Sequence, residues 1–396
     1  MPYHKFTSDY LFTGTEMLNK EHVLIVDQKG LVQDIVPSTD AGDNIQTFTG
    51  LLSPGFINCH CHLELSHLKG LIAEKTGLID FVFNVVTKRH FPEEAILAAI
   101  EAAETEMMTH GIVAVGDICN NTHTLAQKLK QRIHYHSFIE LSGWLPSIAK
   151  ERFEKGKEYY TRFLNHASHQ LHQSLAPHAP YSVSNELWDL MAPFFPHQTI
   201  TIHNQETAFE DDLFMNGSGD FTKMYQMMQL DNSFFTPTGK SSLQSYLPKL
   251  KGAKQVLLVH NTFIKEADIS AVHSTSNETG QAFFYCLCVR ANQYIENALP
   301  PIPLLRQHNC NITIGTDSLA SNWGLNILDE LKTIKAHFTA IPTIELLQWA
   351  TMNGAKALQL SEELGSFEKG KKPGVLLIEH LNQGEITALS TTKVIL

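Results

Sequence analysis

The strongest constraint on the fold is a series of eight short apolar segments, most of which end in polar residues. The segments are 56–62, 111–118, 134–141, 173–180, 199–205, 255–261, 282–288 and 311–317. Stretches of helical character separate several of them, and Pro92, Ser184 and Pro342 supply signals for the start of a helix. Strands that alternate with helices form parallel sheets, so eight such units predict an α/β fold, a (β/α)8 TIM barrel.

The two ends of the chain differ from the middle because they contain shorter β-like pieces. These pieces are 23–27, 31–36, 374–379 and 394–396. We expect both ends to form one small β-sandwich. The predicted domains are therefore a composite sandwich from 1–53 and 363–396, and a catalytic barrel from 54–362.

Charge excludes several classes of partner. The 396 residues include 30 Lys plus Arg against 41 Asp plus Glu, a net charge of −11. No basic surface is expected, which argues against binding to nucleic acid or to an anionic membrane. Apolar runs are shorter than the ~18 residues that span a membrane, and residues 1–20 lack the core of a signal peptide. We expect a soluble, cytoplasmic protein, and the sequence leaves a homodimer open.

Polar side chains gather at the carboxyl ends of the predicted strands. They are His60, His62, Glu64, His178, His203, Glu206, His260 and Asp317. In a barrel, these strand ends converge on one face, where active sites are built. One lone histidine at a strand end is usually structural, but five on one face predict a functional site.

This set of side chains suits a metal ion. The candidate ligands are His60, His62, His203 and Asp317. The first two are separated by one residue on a strand and point the same way, so Cys59 and Cys61 are expected to face the helices. Three imidazoles and a carboxylate predict one divalent transition metal, Zn²⁺ by default and otherwise Fe²⁺ or Mn²⁺, with a position open for water.

The remaining candidates have roles that the sequence defines less closely. Glu206 lies three residues after a candidate ligand, a position that suits a general acid/base. His178 is either a substrate contact or a structural residue, and Glu64 either binds substrate or orients a neighbour. Arg89 and Arg290 either meet a substrate carboxylate or lie on the surface.

One connection is unusually long for a barrel. The segment 209–237 follows the end of a predicted strand and is rich in Asp, Gly, Met and Phe. We expect it to cover the substrate as a lid.

Several sequence runs together resemble a known family. They are 53–62 (SPGFINCHCH), 203–206 (HNQE), 259–261 (VHN), 315–318 (GTDS) and 365–374 (GSFEKGKKPG). The chain resembles the amidohydrolase superfamily, specifically its mononuclear metal-dependent deaminase branch. The resemblance implies that the four candidate ligands bind metal, that Glu206 shuttles protons, and that His260 and Asp317 support the reacting centre. The segment 175–182 has no lysine to bridge two metals, which favours one metal ion.

Three further runs are most similar to aminofutalosine deaminases. They are 62–66 (HLELS), 77–82 (GLIDFV) and 235–242 (FTPTGKSS). The implied activity is hydrolytic replacement of a ring amine by oxygen on a small, purine-like substrate, without an organic cofactor. Alternatives are an adenosylhomocysteine- or adenosine-type substrate, guanine or a chlorinated triazine. A non-catalytic metal-binding barrel is the alternative from another class, and the presence of Glu206 argues against it.

Overall fold

The computed structural model describes residues 3–396, so the first two residues of the predicted 1–53 segment lie outside the described residues. The strands are β1 Tyr3–Phe12, β2 Met17–Asn19, β3 His22–Asp27, β4 Val32–Pro37, β5 Gln46–Ser53, β6 Phe56–Cys61, β7 Ile112–Cys119, β8 His134–Leu141, β9 Leu171–Pro177, β10 Thr199–Asn204, β11 Gln255–His260, β12 Ala282–Leu287, β13 Asn311–Ile314, β14 Leu376–Glu379 and β15 Thr391–Val394.

Helices connect most of these strands. They are α1 Leu78–Lys88, α2 Glu93–Thr109, α3 Leu125–Lys128, α4 Ala149–Leu164, α5 Asn185–Met191, α6 Phe209–Asn216, α7 Asp220–Met227, α8 Ser242–Tyr246, α9 Glu266–Thr279, α10 Val289–Ile295, α11 Ile302–Gln307, α12 Ile327–His337, α13 Thr343–Gln348 and α14 Gly354–Ala357. Within residues 3–396, none of the helices combines the length and apolar character that crossing a membrane requires.

The eight predicted core strands are present as β6 to β13, and the predicted α/β class is confirmed. They form two four-stranded parallel sheets, in the orders β6-β7-β8-β9 and β10-β11-β12-β13. Burial on both faces explains why these strands read as continuous apolar runs in the sequence.

The two parallel sheets meet at both edges through individual hydrogen bonds. At one edge the main-chain N–H of His203 donates to the carbonyl of His178 at 3.0 Å. At the other edge the N–H groups of Thr316 and Asp317 both donate to the carbonyl of His60 at 3.0 Å. The strand pairing observed over residues 3–396 does not run continuously around a closed barrel. Both edges pass through predicted site residues, which brings the carboxyl ends of the two sheets together.

The terminal segments share one mixed sheet. Its strand order is β15-β14-β5-β1-β3-β4, with β2 paired to β1. Leu377 in β14 pairs with Leu52 in β5, so the end of the chain adds to the sheet made by its beginning. The predicted β-sandwich is not confirmed, because strands from both ends join one seven-stranded sheet.

A bulge in β6 determines which of its residues face inward. Pairing with β7 advances from Asn58 to Cys61 on β6 but only from Val115 to Asp117 on β7. Cys61 packs in the apolar cluster that contains residues of α2, as predicted. The prediction for Cys59 was wrong, because Cys59 belongs to a second cluster, built largely from core-strand residues. The extra residue in the bulge breaks the strict alternation that the prediction assumed.

Candidate metal and active site

The predicted site residues surround one cavity at the carboxyl ends of the core strands. Its volume is about 390 Å³. The predicted residues that line it are His62, Glu64, His178, His203, Glu206, His260 and Asp317. His60 is fully buried beside this set, with its ring centroid 4.9 Å from those of both His62 and His203.

Three imidazoles converge on one point. One ring nitrogen from each of His60, His62 and His203 lies within 4.8 Å of the others, and Nε2 of His62 is 3.2 Å from Nε2 of His203. Asp317 Oδ1 lies 3.5 Å from Nε2 of His62 and 3.7 Å from Nε2 of His60. Both ring nitrogens of His60 are buried without a hydrogen-bond partner, which is costly for a polar group. A metal ion among these donors would give one of the two nitrogens a partner, so the residues present fit a metal ion.

The orientation of His203 suits a metal ligand. Its Nδ1 lies 2.7 Å from the main-chain carbonyl oxygen of His178. A carbonyl can only accept, so Nδ1 carries the hydrogen and Nε2 presents its lone pair to the imidazole cluster. An outer hydrogen bond of this kind fixes the tautomer of a ligating histidine.

Burial controls the charge of the donors. It lowers the pKa of His62 to about 3 and places the pKa of His203 well below its ordinary value, with nearby histidines adding to both shifts. Burial alone would raise the pKa of Asp317, but favourable electrostatic interactions with the neighbouring imidazoles of His60, His62 and His260 hold that pKa well below its ordinary value. Ser321 Oγ also donates to Asp317 Oδ2 at 2.7 Å. Neutral imidazoles and an ionised carboxylate are the forms that bind a divalent metal.

Glu206 and His260 form a second pair in the cavity. Glu206 Oε1 is 3.6 Å from Nε2 of His260, and the opposite nitrogen, Nδ1, lies 2.8 Å from Oδ1 of Asn292. Burial, followed by repulsion from Asp317 and Glu296, raises the pKa of Glu206 well above its ordinary value. A buried carboxyl group with a raised pKa holds its proton more tightly than a free one, which suits a general acid/base.

The backbone is strained where the strands deliver these side chains. His260, Asn261 and Asp317 have positive φ angles of 72°, 56° and 57°. Non-glycine residues adopt this left-handed region at a cost, and such residues cluster at functional sites. Here the unusual backbone turns the ends of β11 and β13 into the cavity.

Sequence reasoning missed several polar residues of the cavity wall, among them Glu140 and Asn120. Glu140, at the end of β8, is buried with Oε1 3.5 Å from His203 Nδ1. Asn120 donates from Nδ2 to Glu140 at 2.9 Å and from its main-chain N–H to Glu64 at 3.0 Å. Burial raises the pKa of both glutamates to about 7. The strand-end rule used for the other candidates would have identified Glu140, which was overlooked within an apolar run.

The predicted lid segment is folded as α6, α7 and the loop that follows. Met224 and Tyr225 of α7 line the cavity, so the segment forms part of its wall. Trp144 stacks on Tyr225 with ring centroids 5.0 Å apart, and its indole N–H donates to Asn232 at 2.7 Å. This part of the cavity wall is therefore aromatic.

The two arginines that the sequence suggested as substrate contacts, Arg89 and Arg290, lie in different environments. Arg89 lines the cavity, together with Arg152, which was not predicted. Arg290 does not line it, because its guanidinium group lies 5.0 Å from the ring of Trp323 and donates to Asn322 at 3.2 Å. Of the two arginines that the sequence suggested, only Arg89 remains a candidate for contact with substrate.

Comparisons with known proteins agree with this geometry. The amidohydrolase family model matches residues 51–395. A 5-methylthioadenosine/S-adenosylhomocysteine deaminase of Teredinibacter turnerae is 25% identical over 346 residues, which cover 83% of this chain and 72% of the relative.

Solved structures show the same fold. The Helicobacter pylori aminofutalosine deaminase superposes with a TM-score of 0.79 at 22% identity, covering 98% of this chain and 94% of that one. An adenosine deaminase of Xanthomonas campestris, solved with bound zinc, has a TM-score of 0.72 at 21% identity, with coverages of 94% and 84%.

The family match spans most of the chain and includes every residue of the predicted site. It confirms the prediction, made from the sequence runs, of a hydrolase that acts on carbon–nitrogen bonds in the deaminase branch. The chain therefore belongs to the amidohydrolase family.

Proposed function

We propose that this protein is a metal-dependent deaminase that replaces a ring amine by oxygen on a purine-like substrate, with aminofutalosine as the preferred compound. The observation that carries the proposal is the position of Glu206. Its buried carboxyl group lies 3.6 Å from His260 and lines the same cavity as His62, His203 and Asp317. A proton-transfer group of this kind has no use in a site that only binds metal.

The proposal assigns one divalent transition metal to His60, His62, His203 and Asp317. Zinc is the first choice because three nitrogens and one carboxylate suit it, and the Xanthomonas relative was solved with zinc; Fe²⁺ or Mn²⁺ is the alternative. A divalent metal ion held there supplies Lewis acidity that brings the pKa of a water molecule close to neutrality.

The side chains around the metal position move and hold protons. Glu206 takes a proton from the attacking water and gives it to the ring nitrogen next to the carbon under attack. His260 donates from Nδ1 to Asn292, so its Nε2 accepts a hydrogen bond at the reacting centre. Ionised Asp317 accepts a second one. Together they hold the tetrahedral adduct. The proton left on the hydroxyl group of the adduct passes through Asp317 to the amine, and the carbon–nitrogen bond then breaks to release ammonia.

The substrate assignment is supported by the cavity and by the sequence runs that resemble aminofutalosine deaminases. A space of about 390 Å³, with an aromatic wall, suits a ring that has an extended arm. Arg89 and Arg152 line it, and neither forms an ion pair with a carboxylate in residues 3–396, which suits a negatively charged arm. Methylthioadenosine and adenosylhomocysteine are the first alternative substrates, because the Teredinibacter relative is named for them. Adenosine, guanine and chlorinated triazines are further alternatives.

We also propose that the chain is divided into a catalytic domain and an accessory domain. Residues 54–362 would form the catalytic (β/α)8 barrel, supported by the hydrogen bonds that join the two parallel sheets at both edges. Residues 1–53 and 363–396 would form the accessory domain, supported by the pairing of β14 with β5.

Ammonia release is the direct test. The purified protein, loaded with Zn²⁺, is assayed for ammonia release from aminofutalosine, methylthioadenosine, adenosylhomocysteine, adenosine and guanine. A chlorinated triazine is assayed in parallel for chloride release. We expect the highest kcat/KM on aminofutalosine. A higher value on another aminated purine would replace the substrate assignment, and no ammonia from any compound would overturn the proposed activity.

A further inference from the structure

The peptide bond that precedes Asp317 is hydrogen-bonded at both of its polar atoms. The N–H of Asp317 donates to the main-chain carbonyl of His60 at 3.0 Å. The carbonyl of Thr316 accepts a hydrogen bond from Nδ2 of Asn322 at 2.8 Å. Thr316 is fully buried and Asn322 is 2% exposed, so this bond is shielded from water. The plane of the peptide is therefore held between a candidate metal ligand and one asparagine side chain.

Asp317 needs this support because its backbone is strained. Its φ angle of 57° lies in the left-handed region. A residue other than glycine stays in this region only where the surrounding structure holds it there. The backbone conformation sets the direction of the carboxylate, whose Oδ1 lies 3.5 Å from Nε2 of His62. Relaxation of the backbone would move this oxygen relative to the imidazoles.

The amide group of Asn322 can take only one orientation. Its Oδ1 accepts from Nε of Arg290 at 3.2 Å and from the main-chain N–H of Trp323 at 2.8 Å. Its Nδ2 donates to the carbonyl of Thr316 and, at 2.9 Å, to Oε1 of Glu330. Rotation of the amide by 180° would place donor against donor and acceptor against acceptor. The neighbours of Asn322 therefore keep its donor directed at Thr316.

Glu330 is a buried carboxyl group that the proposed chemistry does not use. It lies on α12, is fully buried and does not line the cavity. Its second oxygen, Oε2, accepts the main-chain N–H of Arg290 at 3.0 Å. A buried carboxyl group costs free energy unless its oxygens are hydrogen-bonded, and here both oxygens are. Glu330 thus ties α12 and the start of α10 to the amide of Asn322.

We propose that Asn322 is a positioning residue that holds the carboxylate of Asp317 at the metal site, and that Glu330 and Arg290 hold Asn322 in turn. This role rests on the proposed function, because it needs a metal ion at the imidazole cluster. It extends that function to three residues outside the cavity. Their effect on the site passes through the peptide bond between Thr316 and Asp317.

Metal affinity tests the role without any substrate. The zinc-loaded protein is titrated with a chromophoric chelator, and its absorption bands are recorded after Co²⁺ replaces Zn²⁺. In Asn322→Ala we expect the affinity for Zn²⁺ to fall about 10-fold, the lower end of the range for residues that orient metal ligands. The cobalt bands, which report the geometry of the ligands, should shift. Unchanged affinity overturns the proposal, and so do unchanged bands, because a loss of affinity alone would show general destabilisation.

Asn353→Ala is the matched control for the loss of an asparagine amide. Nδ2 of Asn353 donates to the main-chain carbonyl of Ile312 at 2.9 Å, near the amino end of β13 and away from the site. The variant therefore removes the same kind of bond from the opposite end of the same strand. Its affinity for Zn²⁺ should stay within about twofold of the unaltered protein. A loss as large as that of Asn322→Ala would overturn the positioning role.

Glu330→Gln tests the outer link and decides the question if Asn322→Ala does not fold. Glutamine has the size of glutamate but only one acceptor oxygen, whereas two donors, from Arg290 and Asn322, meet the carboxyl group. We expect a several-fold loss of affinity for Zn²⁺. Glu104→Gln is the control, because Glu104 is equally buried but bonds to Tyr135 and Gln127. Equal affinities in the two variants overturn the proposal.

The positioning role and the deaminase function fail in different ways. Loss of affinity in Asn322→Ala supports the positioning role even if no compound releases ammonia. Ammonia release together with unchanged affinity in both test variants leaves the deaminase function and overturns the positioning role. An unaltered protein that binds no transition metal overturns both.

Discussion

Nδ1 of His203 donates its hydrogen to the main-chain carbonyl of His178 at 2.7 Å, while Nε2 lies 3.2 Å from Nε2 of His62. The same carbonyl also accepts the main-chain N–H of His203 at 3.0 Å. One carbonyl therefore joins the two parallel sheets and orients an imidazole toward its neighbours. The junction between the two sheets and the orientation of the imidazole therefore depend on the same carbonyl group.

The site should hold one metal ion per chain. Elemental analysis of the purified protein is expected to show about one equivalent of transition metal, and a chelator should abolish an activity that Zn²⁺ or Fe²⁺ restores. The segment 175–182, which includes His178, offers no lysine to bridge a second ion. Two equivalents per chain, or full activity without metal, would contradict the single-ion site.

Glu206→Gln removes the proton acceptor and keeps the size of the side chain. Turnover should fall by at least ~10²-fold, the scale of general acid–base catalysis, while the metal content stays at the level of the unaltered protein. Glu210→Gln, four residues later on α6, is a control for buried charge outside the cavity. Loss of metal from Glu206→Gln would instead make Glu206 a ligand.

Trp144→Ala should affect large substrates more than small ones. The indole covers Tyr225 and is held by Asn232, so its loss opens the aromatic wall. We expect kcat/KM for the intact nucleoside to fall at least ~10-fold, which corresponds to ~1.4 kcal/mol, with little change for a free base. Phe234→Ala is the control, because Phe234 lies against Trp144 but does not line the cavity. Equal losses on both substrates would show that the wall is only structural.

This point substitution is preferable to shortening the lid segment. Leu213 and Phe221, in α6 and α7, are fully buried in one apolar cluster, so a deletion there would also remove core packing.

Two neighbouring lysines should differ sharply in their contribution to stability. Lys128 Nζ lies 2.6 Å from Asp117 Oδ2 with both side chains buried, whereas Lys130 Nζ lies 2.7 Å from Glu101 Oε1 with both exposed. Lys128→Met leaves Asp117 buried without its partner and should lower the free energy of unfolding by about 3–5 kcal/mol. Lys130→Met should leave it almost unchanged, because water screens an exposed ion pair. Denaturant unfolding measures both, and similar values would contradict this reasoning.

Buried His136 should make the protein less stable as the pH falls. Burial, aided by repulsion from His172 and Lys128, lowers the pKa of His136 to about 3 from an unfolded value near 6.5. Between these values the unfolded chain binds the extra proton, so the free energy of unfolding rises with pH by up to ~1.4 kcal/mol per unit. That contribution is complete above pH 6.5 and is lost toward pH 3.

The measurement compares His136→Gln with the unaltered protein from pH 4 to 7 by denaturant unfolding. Other histidines titrate equally in both proteins, so the difference in slope isolates His136. We expect a shallower slope for His136→Gln, and identical slopes would show that His136 does not titrate on unfolding.

Local patterns in the sequence predicted the core strands and most of the site residues. Apolar runs of strand length placed all eight core strands, because strands buried on both faces need continuous apolar side chains. Polar residues at their carboxyl ends, such as His203 and Asp317, indicated the cavity, because parallel strands deliver those ends to one face. The family resemblance followed from the same residues.

Only the tertiary structure decided relationships between distant segments. The bulge that turns Cys59 inward depends on the pairing of β6 with β7, and Asn120 joins Glu64 to Glu140 across three strand ends. The sequence of the terminal pieces predicted strands. Whether those strands form one sheet or a sandwich depends on which strand each of them pairs with, and the structure shows one sheet. Local periodicity specifies which face of an element is buried, whereas register and partner choice depend on contacts between residues far apart in sequence, which no local pattern records.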